Sequence, residues 1–579
     1  MPYLPAFSTK KNLRPVKWET IPHDEAAAAE LEHELQIHPL LCRLLVQRGV
    51  RTYEEARRFF RPSWAHLHDP FRMQDMEAAV ARLTRAIADE ERILLYGDYD
   101  VDGTTSVALM HTFLSHFTDR LDYYIPDRYR EGYGISLQGM DYAAEQGATL
   151  VIAMDCGITA VEQVAYAHSK SIDCIICDHH LSGDTLPDAV AVLDPQRKDC
   201  DYPYKYLSGC GVAFKLAQGY VQRHGLSFEE YLLPLTDLLA VSIACDIVPI
   251  TDENRTLARF GLARLAEAPC LGLRVLTEMA NRKPPFAISD VVFGVGPVIN
   301  AAGRLGDARE AVALLLECDT ITAHRRTESL ITRNLKRREL DRSVVTEARG
   351  LLDALPDLDD RHSLVLMQPH WHKGIIGISA SRVVERYHRP TIMLTESNGQ
   401  LVGSARSVRG FDLHRALGHC SDLLVNYGGH AFAAGLTLRP ERLGDFRMRF
   451  EAYAAEHLQE ADKEASLSIA AELDLDDLTP RFWKILKQME PHGPRNRRPV
   501  FVARRVHTLD KGTQLLKNNH LMLRVRQGKL SFKGIAFGQG EHYELVTSGP
   551  FDMVFVVEED HWQGRTSLRL SVRDIRACG

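Results

Sequence analysis

From residue 92 to residue 194, short apolar runs alternate with amphipathic stretches. The apolar runs, such as Leu150–Met154, are continuous and lack the every-second-residue alternation of a sheet with one solvated face. They predict strands buried on both faces, with helices between them, in a doubly wound parallel sheet. The predicted strands are 92–98, 121–127, 149–155, 172–178 and 189–194, and the predicted helices are 104–117, 136–146 and 159–168.

Downstream of this region the pattern changes twice. Residues 208–345 have mainly helical periodicity, and the arginine-rich stretch 324–349 contains no Gly or Pro, which predicts a long connecting helix. An acidic helical stretch is predicted around 460–477, and the short strands after it, separated by Gly and polar turns, predict a small β-barrel of the OB type. Between these regions lies a second predicted α/β unit, with strands at 363–367, 391–394 and 400–405 and a helix at 374–387.

The predicted fold class is therefore multidomain α/β, with a doubly wound parallel-sheet domain, a second α/β domain joined to it by a long helix, and a C-terminal OB-type barrel. The predicted boundaries are an N-terminal helical segment at 1–75, the parallel-sheet domain at 76–255, a helical region with the connecting helix at 256–350, the second α/β domain at 351–455 and the barrel at 456–579.

Composition supports a compact protein of several domains. The 579 residues exceed what one hydrophobic core accommodates, and 45% hydrophobic with 25% charged residues is ordinary for globular chains. No secretory apolar segment and no run of ~18 uncharged apolar residues is present, so we expect a cytoplasmic protein without a membrane. Cys174 and Cys177 lie inside a predicted strand, which favours buried thiols over a zinc site. The net charge of −7 leaves room for a local basic groove that binds nucleic acid.

Acidic residues and histidines follow the ends of these apolar runs. The relevant segments are Tyr96–Gly103, Asp155–Gly157, Asp178–His180 and, after a later run, Asp246. One Asp at a strand end is more often a turn former, but three at alternate positions beside an Asp-His-His sequence indicate a site. Ligands bind beyond the carboxyl ends of parallel strands, and carboxylates gathered there repel unless cations neutralise them. The sequence therefore predicts two Mn²⁺ or Mg²⁺ ions that hydrolyse phosphate esters.

These segments resemble the DHH phosphoesterase superfamily and, within it, its branch of bacterial single-strand-specific exonucleases. The resemblance runs in family order from about residue 40 to the barrel, and it implies a DHH catalytic domain, a DHHA1-type substrate-binding domain and an OB domain. The motifs that carry it are Gly97–Gly103, Glu131–Gly134, Asp155–Ile158, Asp178–His180, Asp246–Pro249, Asn300–Leu305, His372–Gly377, Gly403–Ser407 and Gly428–His430.

By resemblance, most metal ligands come from the acidic motifs, and Asp155 bridges the ions. His180 either lies at the scissile phosphate or completes a metal shell, and Asp178 orients a histidine. Smaller phosphatases of the superfamily carry histidine where this chain has Tyr96, so Asp98 is the expected replacement ligand. The implied metal ligands are Asp98, Asp100, Asp102, Asp155, His179 and Asp246. The implied catalytic residues are Asp100, Asp102, Asp155, His179, His180 and Asp246.

The resemblance also implies how substrate is held. Arg128, Ser404 and Arg406 would hold a 5′ phosphate and so set 5′ to 3′ polarity, because arginine and hydroxyl groups suit phosphate oxygens. The complete set of implied substrate contacts is Arg128, Asn300, Arg304, Ser404, Arg406 and His430. Cys156 and Ala405 depart from the residues usual in the family and leave the charged groups intact.

Single-stranded DNA is the expected partner, held by basic and aromatic side chains and admitted through an opening too narrow for a duplex. The basic candidates are Arg325, Arg326, Arg333, Lys336, Arg337, Arg338, Arg495, Arg497, Arg498, Arg504 and Arg505, and the aromatic ones are Tyr129, Tyr133, Trp371, Tyr427 and Phe432. A monomer is expected, with a single-strand-binding protein and a helicase as further partners. Two alternatives stay open: a related phosphodiesterase or phosphatase acting on short oligonucleotides or small phosphate esters, and a non-catalytic replication scaffold.

Overall fold

The computed structural model describes residues 16–459, 466–509, 512–562 and 565–578. Within these residues the chain forms two compact units, one made of 20–331 and 468–578 and the other of 332–467 with 16–19. No helix in this part of the chain is both long and apolar enough to cross a membrane. The first elements are β1 (Lys17–Thr20), α1 (Glu25–Leu35), α2 (Pro39–Val46) and α3 (Tyr53–Phe60).

A five-stranded parallel sheet forms the centre of the first unit. Its strands lie in the order β3-β2-β4-β5-β6, and every pairing is parallel. The elements are α4 (Met76–Ala88), β2 (Ile93–Gly97), α5 (Val101–Leu114), β3 (Leu121–Tyr124), α6 (Leu137–Glu145), β4 (Leu150–Met154), α7 (Val161–Ser169), β5 (Asp173–Cys177) and β6 (Ala191–Leu193). The predicted doubly wound sheet is confirmed.

The continuous apolar runs have a direct structural cause. In β2, Ile93 and Leu95 belong to the core cluster on one face of the sheet, whereas Leu94 and Tyr96 belong to the cluster on the other face. Successive side chains of a strand point to opposite faces, so a sheet covered on both sides needs an apolar residue at every position.

The region after the sheet is helical, as its periodicity predicts. The helix α10 (Thr236–Cys245) is buried from Thr236 to Ala244, because its side chains are mostly apolar and neighbouring helices pack around it. The helices are α8 (Gly209–Arg223), α9 (Phe228–Tyr231), α10 (Thr236–Cys245), α11 (Asp252–Glu267), α12 (Leu271–Met279), α13 (Ile288–Asp290), α14 (Gly296–Leu305), α15 (Arg309–Leu315) and the 34-residue α16 (Thr320–Asp353). The long helix predicted over 324–349 is confirmed.

The second unit contains a mixed five-stranded sheet in the order β10-β11-β9-β8-β7. Only β7 and β8 pair in parallel, and the remaining pairs are antiparallel. Its elements are β7 (Leu364–Met367), α17 (Ile376–Tyr387), β8 (Thr391–Ser397), β9 (Gln400–Arg406), α18 (Leu413–His419), β10 (Leu424–Gly429), β11 (Ala433–Leu438) and α19 (Leu443–His457). The hairpin of β10 and β11 extends the predicted α/β unit.

The C-terminal strands close into a barrel. The order β14-β18-β19-β17-β16 is completed by a second pairing between β16 and β14, so five strands form a ring, and the predicted OB-type fold is confirmed. Apolar residues of α1 and α2 belong to the same core cluster as the barrel interior. The elements are β12 (Ser466–Ile469), β13 (Ala471–Glu472), α20 (Pro480–Lys487), β14 (Phe501–Thr508), β15 (Gln514–Leu516), β16 (His520–Gln527), β17 (Leu530–Ala536), α21 (Tyr543–Ser548), β18 (Phe551–Trp562) and β19 (Arg565–Ala577).

One predicted element is wrong over its described part. The acidic stretch 460–477 was expected to be helical, and its residues 460–465 lie outside the described residues, but the rest contains β12 and β13 and one short 3-10 turn. β13 pairs in parallel with Phe501 and Val502 of β14, and the amides of Ala470 and Leu473 donate to carbonyl groups of the same segment. This long-range pairing outweighs the weak local preference of an acidic segment for a helix.

Candidate metal centre

The centre lies where the strand order reverses. β2 has β3 on one side and β4 on the other, which makes the carboxyl ends of β2 and β4 a topological switch point. Asp98 directly follows β2, Asp155 directly follows β4, and Asp178 directly follows β5. Both Asp98 and Asp155 are buried. The sheet topology therefore brings together acids that are far apart in the sequence.

The remaining acids of the first motif lie at the start of α5. Asp100 is the N-cap, and its Oδ1 accepts hydrogen bonds from the amides of Asp102 (2.8 Å) and Gly103 (3.2 Å). A Cβ on Gly103 would lie 2.4 Å from the amide nitrogen of Asp98, so only glycine permits this tight turn. The turn keeps Asp98, Asp100 and Asp102 on one short piece of backbone.

His179 lies among three of the acids. Its Nε2 is 3.3 Å from Asp155 Oδ1 and 3.8 Å from Asp102 Oδ2, and its Nδ1 is 3.7 Å from Asp246 Oδ2. Asp155 has a left-handed backbone, with φ of 60°, which turns its carboxylate away from the line of β4. Asp246 is the C-cap of α10, so the apolar run before it is a helix rather than a strand of the sheet.

The donor atoms form three overlapping groups in which all atoms lie within 4.8 Å of one another. The groups are Asp98 with Asp100 and Asp155, Asp155 with His179 and His180, and Asp102 with His179 and Asp246. Among the described residues, Asp98 Oδ1, His179 Nε2 and Asp246 Oδ2 are buried without a hydrogen-bond partner. Buried polar atoms are almost always satisfied, so three orphans in one oxygen-rich cluster fit divalent cations such as Mn²⁺ or Mg²⁺.

The electrostatics of the cluster agree with this fit. Burial raises the pKa of Asp98, Asp155 and Asp246 well above the ordinary value, and the neighbouring carboxylates raise each of them further. The pKa of Asp100 is also raised, mainly by burial and then by Asp102. Without cations the cluster therefore favours protonated acids, and divalent charge would restore the carboxylates.

Asp178 has a different role from the other acids. Its Oδ1 accepts hydrogen bonds from His180 Nδ1 (2.7 Å) and from the amide of His179 (2.7 Å), and its Oδ2 accepts from the amide of Ile158 (2.9 Å). Burial acts to raise the pKa of Asp178, but the hydrogen bond and charge of His180 lower it on balance. Asp178 thus holds His180 in place, as expected of a residue that orients a histidine.

Tyr96 fills the position at which the superfamily's smaller phosphatases carry histidine. It is fully buried, donates to the carbonyl of Gly134 (3.0 Å) and accepts from the amide of Ser136 (3.1 Å). Because its hydroxyl hydrogen-bonds to this loop, Tyr96 is a packing residue.

Two arginines and an asparagine predicted to contact substrate also belong to the first unit. The Arg128 guanidinium lies 4.8 Å from the centre of the Tyr99 ring, and Tyr99 lies between Asp98 and Asp100 in the chain. Arg304 is at the end of α14, and its carbonyl accepts a hydrogen bond from the Tyr129 hydroxyl. The positive charges of Arg128 and Arg304 partly offset the raised pKa values of Asp98 and Asp100, respectively. Asn300 lies one turn earlier on α14 and is half-buried.

The other predicted substrate residues form a group in the second unit. Arg406 Nη1 donates to Ser404 Oγ at 3.0 Å. A Cβ on Gly377, in the first turn of α17, would lie 2.8 Å from Ser404 Oγ and 3.1 Å from Arg406 Nη2. His430 is exposed at the tip of the β10–β11 hairpin. A hydroxyl, a guanidinium and a helix N-terminus are together suited to a phosphate group.

Comparison with known proteins agrees with this architecture. A model of the DHH family N-terminal domain matches residues 92–243, a DHHA1 domain model matches 361–456, and a RecJ OB domain model matches 469–574. The single-stranded-DNA-specific exonuclease RecJ of Dickeya dadantii is 37% identical over 569 residues, covering 94% of this chain and 97% of its own length. The chain belongs to the RecJ family.

Other RecJ proteins match to a similar extent. The Escherichia coli exonuclease RecJ is 35% identical over 533 residues, covering 88% of this chain and 90% of its own length. The crystal structure of Thermus thermophilus RecJ in complex with Mn²⁺ superimposes with a TM-score of 0.82 at 28% identity, covering 97% of this chain and 80% of that one. The Mg²⁺ complex of the same protein gives a TM-score of 0.77. The resemblance to the single-strand-specific exonuclease branch is confirmed.

In this RecJ-family chain, many of the basic candidates have partners. Arg326 pairs with Glu317, Arg504 with Asp552, and Arg498 with Glu490 and Glu558, while Arg495 stacks on Tyr206. A charged side chain with a nearby acid contributes little net positive potential. These contacts favour structural roles for the arginines named here.

The aromatic candidates divide into two classes. Trp371 is buried, and its indole donates to Glu347 at 2.8 Å, which makes it a core residue. Tyr133 is 56% exposed and Phe432 is 60% exposed, so both rings are accessible to a base. Tyr129 and Tyr427 are half-buried.

Sequence reasoning overlooked the segment that begins α8. The amides of Gly209 and Cys210 donate to Asp102, and a Cβ on Gly209 would lie 2.6 Å from Asp155 Cβ. Asp194, at the end of β6, was also passed over, although burial raises its pKa to about 7. The four-residue sequence Ser208–Gly211, with two glycines after an N-cap serine, was the available signal for the first of these.

Proposed function

We propose that this protein is a metal-dependent exonuclease that hydrolyses single-stranded DNA from the 5′ end, acting in recombination and in mismatch or base-excision repair. The observation that carries the proposal is the convergence of six carboxylate and imidazole groups around Asp155, with three buried donor atoms left without partners. The residues that would hold two Mn²⁺ or Mg²⁺ ions are Asp98, Asp100, Asp102, Asp155, His179 and Asp246.

When bound, two divalent cations supply an activated water and stabilise the charge that develops on a phosphodiester. Asp155 belongs to two ligand groups and is the proposed bridge. Asp178 accepts from Nδ1 of His180, and Nε2, which lies 3.2 Å from the Tyr133 hydroxyl, would be the nitrogen directed to a substrate oxygen. Arg128, Asn300 and Arg304 would bind the strand beside the acids.

Ser404 and Arg406 would bind the terminal 5′ phosphate, and His430 would be a further substrate contact. The close approach of Gly377 to Ser404 and Arg406, which leaves no space for a Cβ, supports this role. We also propose the domain boundaries predicted from the sequence. We further propose that the protein is a cytoplasmic monomer that works with a single-strand-binding protein and a helicase. The relatives named RecJ are single-stranded-DNA-specific exonucleases, which supports DNA as the substrate.

The polarity is tested with one single-stranded oligonucleotide labelled at either end, incubated with Mn²⁺. We expect mononucleotide release from the 5′ label at once, a ladder of shortening products from the 3′ label, and little attack on a blunt duplex. A 5′-hydroxyl oligonucleotide is the matched control and should be degraded more slowly. Hydrolysis of small phosphodiesters without digestion of the long strand would instead identify a small-substrate enzyme, and absence of any metal-dependent turnover would identify a scaffold.

A further inference from the structure

Both oxygens of the Asp102 carboxylate accept hydrogen bonds from outside α5. Oδ2 accepts from the amide of Gly209 at 2.6 Å, and Oδ1 accepts from the amide of Cys210 at 2.9 Å and from Ser242 Oγ at 2.6 Å. The two amides belong to the first turn of α8, where N–H groups have no partner within the helix and attract negative charge. Ser242 comes from α10 and adds a third donor.

A second serine determines the direction of this hydrogen bonding. The hydroxyl oxygen of Ser208, the N-cap of α8, lies 2.6 Å from the hydroxyl oxygen of Ser242. It also accepts a hydrogen bond from the amide of Gly211 at 3.1 Å. An amide N–H only donates, each hydroxyl carries one proton, and Ser242 Oγ donates its proton to Asp102 Oδ1. The hydrogen bonds therefore run from Gly211 to Ser208, from Ser208 to Ser242, and from Ser242 to Asp102.

This chain of hydrogen bonds is buried away from solvent. Ser208 and Ser242 are 0% exposed, and Asp102 is 1% exposed. Loss of either hydroxyl would leave a buried acceptor short of one donor, with no solvent to replace it. The chain also directs Oδ1 of Asp102 toward α10, while Oδ2 is the oxygen that lies 3.8 Å from His179.

We infer that Ser242 is a positioning residue of the metal centre, which orients the Asp102 carboxylate toward His179 and Asp246, and that Ser208 is the next link. This inference rests on the proposed function, because it assumes that Asp102 contributes to metal binding. The carbonyl of Ser242 also accepts from the amide of Asp246 at 2.9 Å, so one turn of α10 supports two of the acids. Replacing only the hydroxyl leaves that backbone contact in place.

The test is a titration of the DNA-free protein with Mn²⁺, in which electron paramagnetic resonance measures the free ion. Ser242→Ala should weaken Mn²⁺ binding by about tenfold, in the range of ~10–100-fold that partners of metal ligands typically contribute. Ser242→Thr keeps the hydroxyl and should stay within about threefold of the unmodified protein, and Ser208→Ala should lose about threefold. Thr277→Ala is the matched control, because it removes a buried hydroxyl that donates to Leu273 within α12.

Circular dichroism of each variant shows whether it is folded. If Ser242→Ala does not fold, Mn²⁺ binding by Ser208→Ala tests the inference instead. Nuclease assays at rising Mn²⁺ should give an unchanged KM for DNA with a higher Mn²⁺ requirement in Ser242→Ala. Binding within twofold of the unmodified protein, or an equal loss in Thr277→Ala, overturns the inference and leaves the proposed function standing. No Mn²⁺ binding by the unmodified protein overturns both.

Discussion

Under the proposed function, the acidic centre of the first unit and the Ser404–Arg406 group of the second unit would handle phosphate by opposite means. The first gathers carboxylates whose burial and mutual repulsion raise their pKa values, so the ionised form of the cluster needs cations to stabilise it. The second gathers neutral and positive donors around the start of α17, and it needs no cofactor to attract an anion. If the first group serves hydrolysis and the second serves recognition, as proposed, changes at the two groups should affect different measurements.

The largest effect is expected from Asp155→Ala. This substitution removes the carboxylate shared by two ligand groups, so turnover of single-stranded DNA should fall by about 1000-fold or more, beyond the ~10–100-fold typical of residues that only support metal ligands. Binding of DNA in the presence of Ca²⁺, measured by fluorescence anisotropy, should change little. Near-normal turnover would contradict the bridging role, and equal losses of turnover and binding would erase the separation between the two groups.

Gly209→Ala tests how tightly α8 fits against the acids. The new Cβ would lie 2.6 Å from Asp155 Cβ and 2.7 Å from its Cα, so Asp155 must move, and we expect a loss of turnover of roughly 100-fold. Gly219→Ala, later on α8, is the matched control, because its Cβ meets only side-chain atoms of Met76 and Val80, the nearest at 3.1 Å. Similar activity of the two variants would show that the close approach at Gly209 is unimportant.

Arg406→Ala should affect recognition alone. A hydrogen bond to a charged group contributes about 1.5–3 kcal/mol, so the preference for a 5′-phosphorylated over a 5′-hydroxyl strand should fall by roughly tenfold or more. Mn²⁺ binding should be unchanged. Arg409→Ala, at an exposed position three residues later, is the control. An unchanged phosphate preference would reject the assignment of Arg406.

The smallest effect is a pH dependence of stability that differs with and without metal. Asp98, Asp155 and Asp246 have folded-state pKa values raised above the ordinary 3.8, so their contribution to stability is present at low pH and is lost as pH rises through the raised values. Asp178 has a lowered pKa and the opposite dependence: its contribution is present above the ordinary pKa of 3.8 and is lost only as pH falls through the lowered value. In EDTA, the destabilisation caused by these three acids, measured as a lower Tm, should therefore grow from pH 5 to pH 8.

The same experiment with Mn²⁺ provides the contrast. Cations require deprotonated ligands and stabilise the folded state by binding to it, so the rise in Tm on adding Mn²⁺ should increase with pH over that range by a few degrees. Asp155→Ala should reduce the increase, and Arg406→Ala should not. An Mn²⁺ effect that is independent of pH would contradict the raised pKa values of the cluster.

The sequence predicted the parallel sheet well, and it missed parts of the second unit and the barrel. Continuous apolar runs identify strands covered on both faces, whereas β10 contains Asn426, Gly428 and Gly429 and lacks any such run. β13 lies in an acidic stretch and exists because β14 pairs with it. Strands defined mainly by their neighbours leave a weak local signal.

For the candidate site, the sequence indicated the acids and left their surroundings open. Asp98, Asp155 and His179 follow strands that the periodicity identifies, so their shared edge could be predicted. Asp246 ends a helix, and no sequence rule places a helix C-terminus at the edge of a sheet. Ser242 went unrecognised because a serine inside an apolar helix resembles an ordinary core residue.

By itself, the sequence determined which segments are buried, where strands end in acids, and the chemistry that those acids suit. Only the tertiary structure decided that Gly209 meets Asp102 across 107 positions and that Ser242 meets it across 140. The physical reason is that hydrophobic periodicity records how much of each residue is covered, which is a local property. The identity of the covering atom depends on how helices and strands pack, and that arrangement is settled by the whole chain.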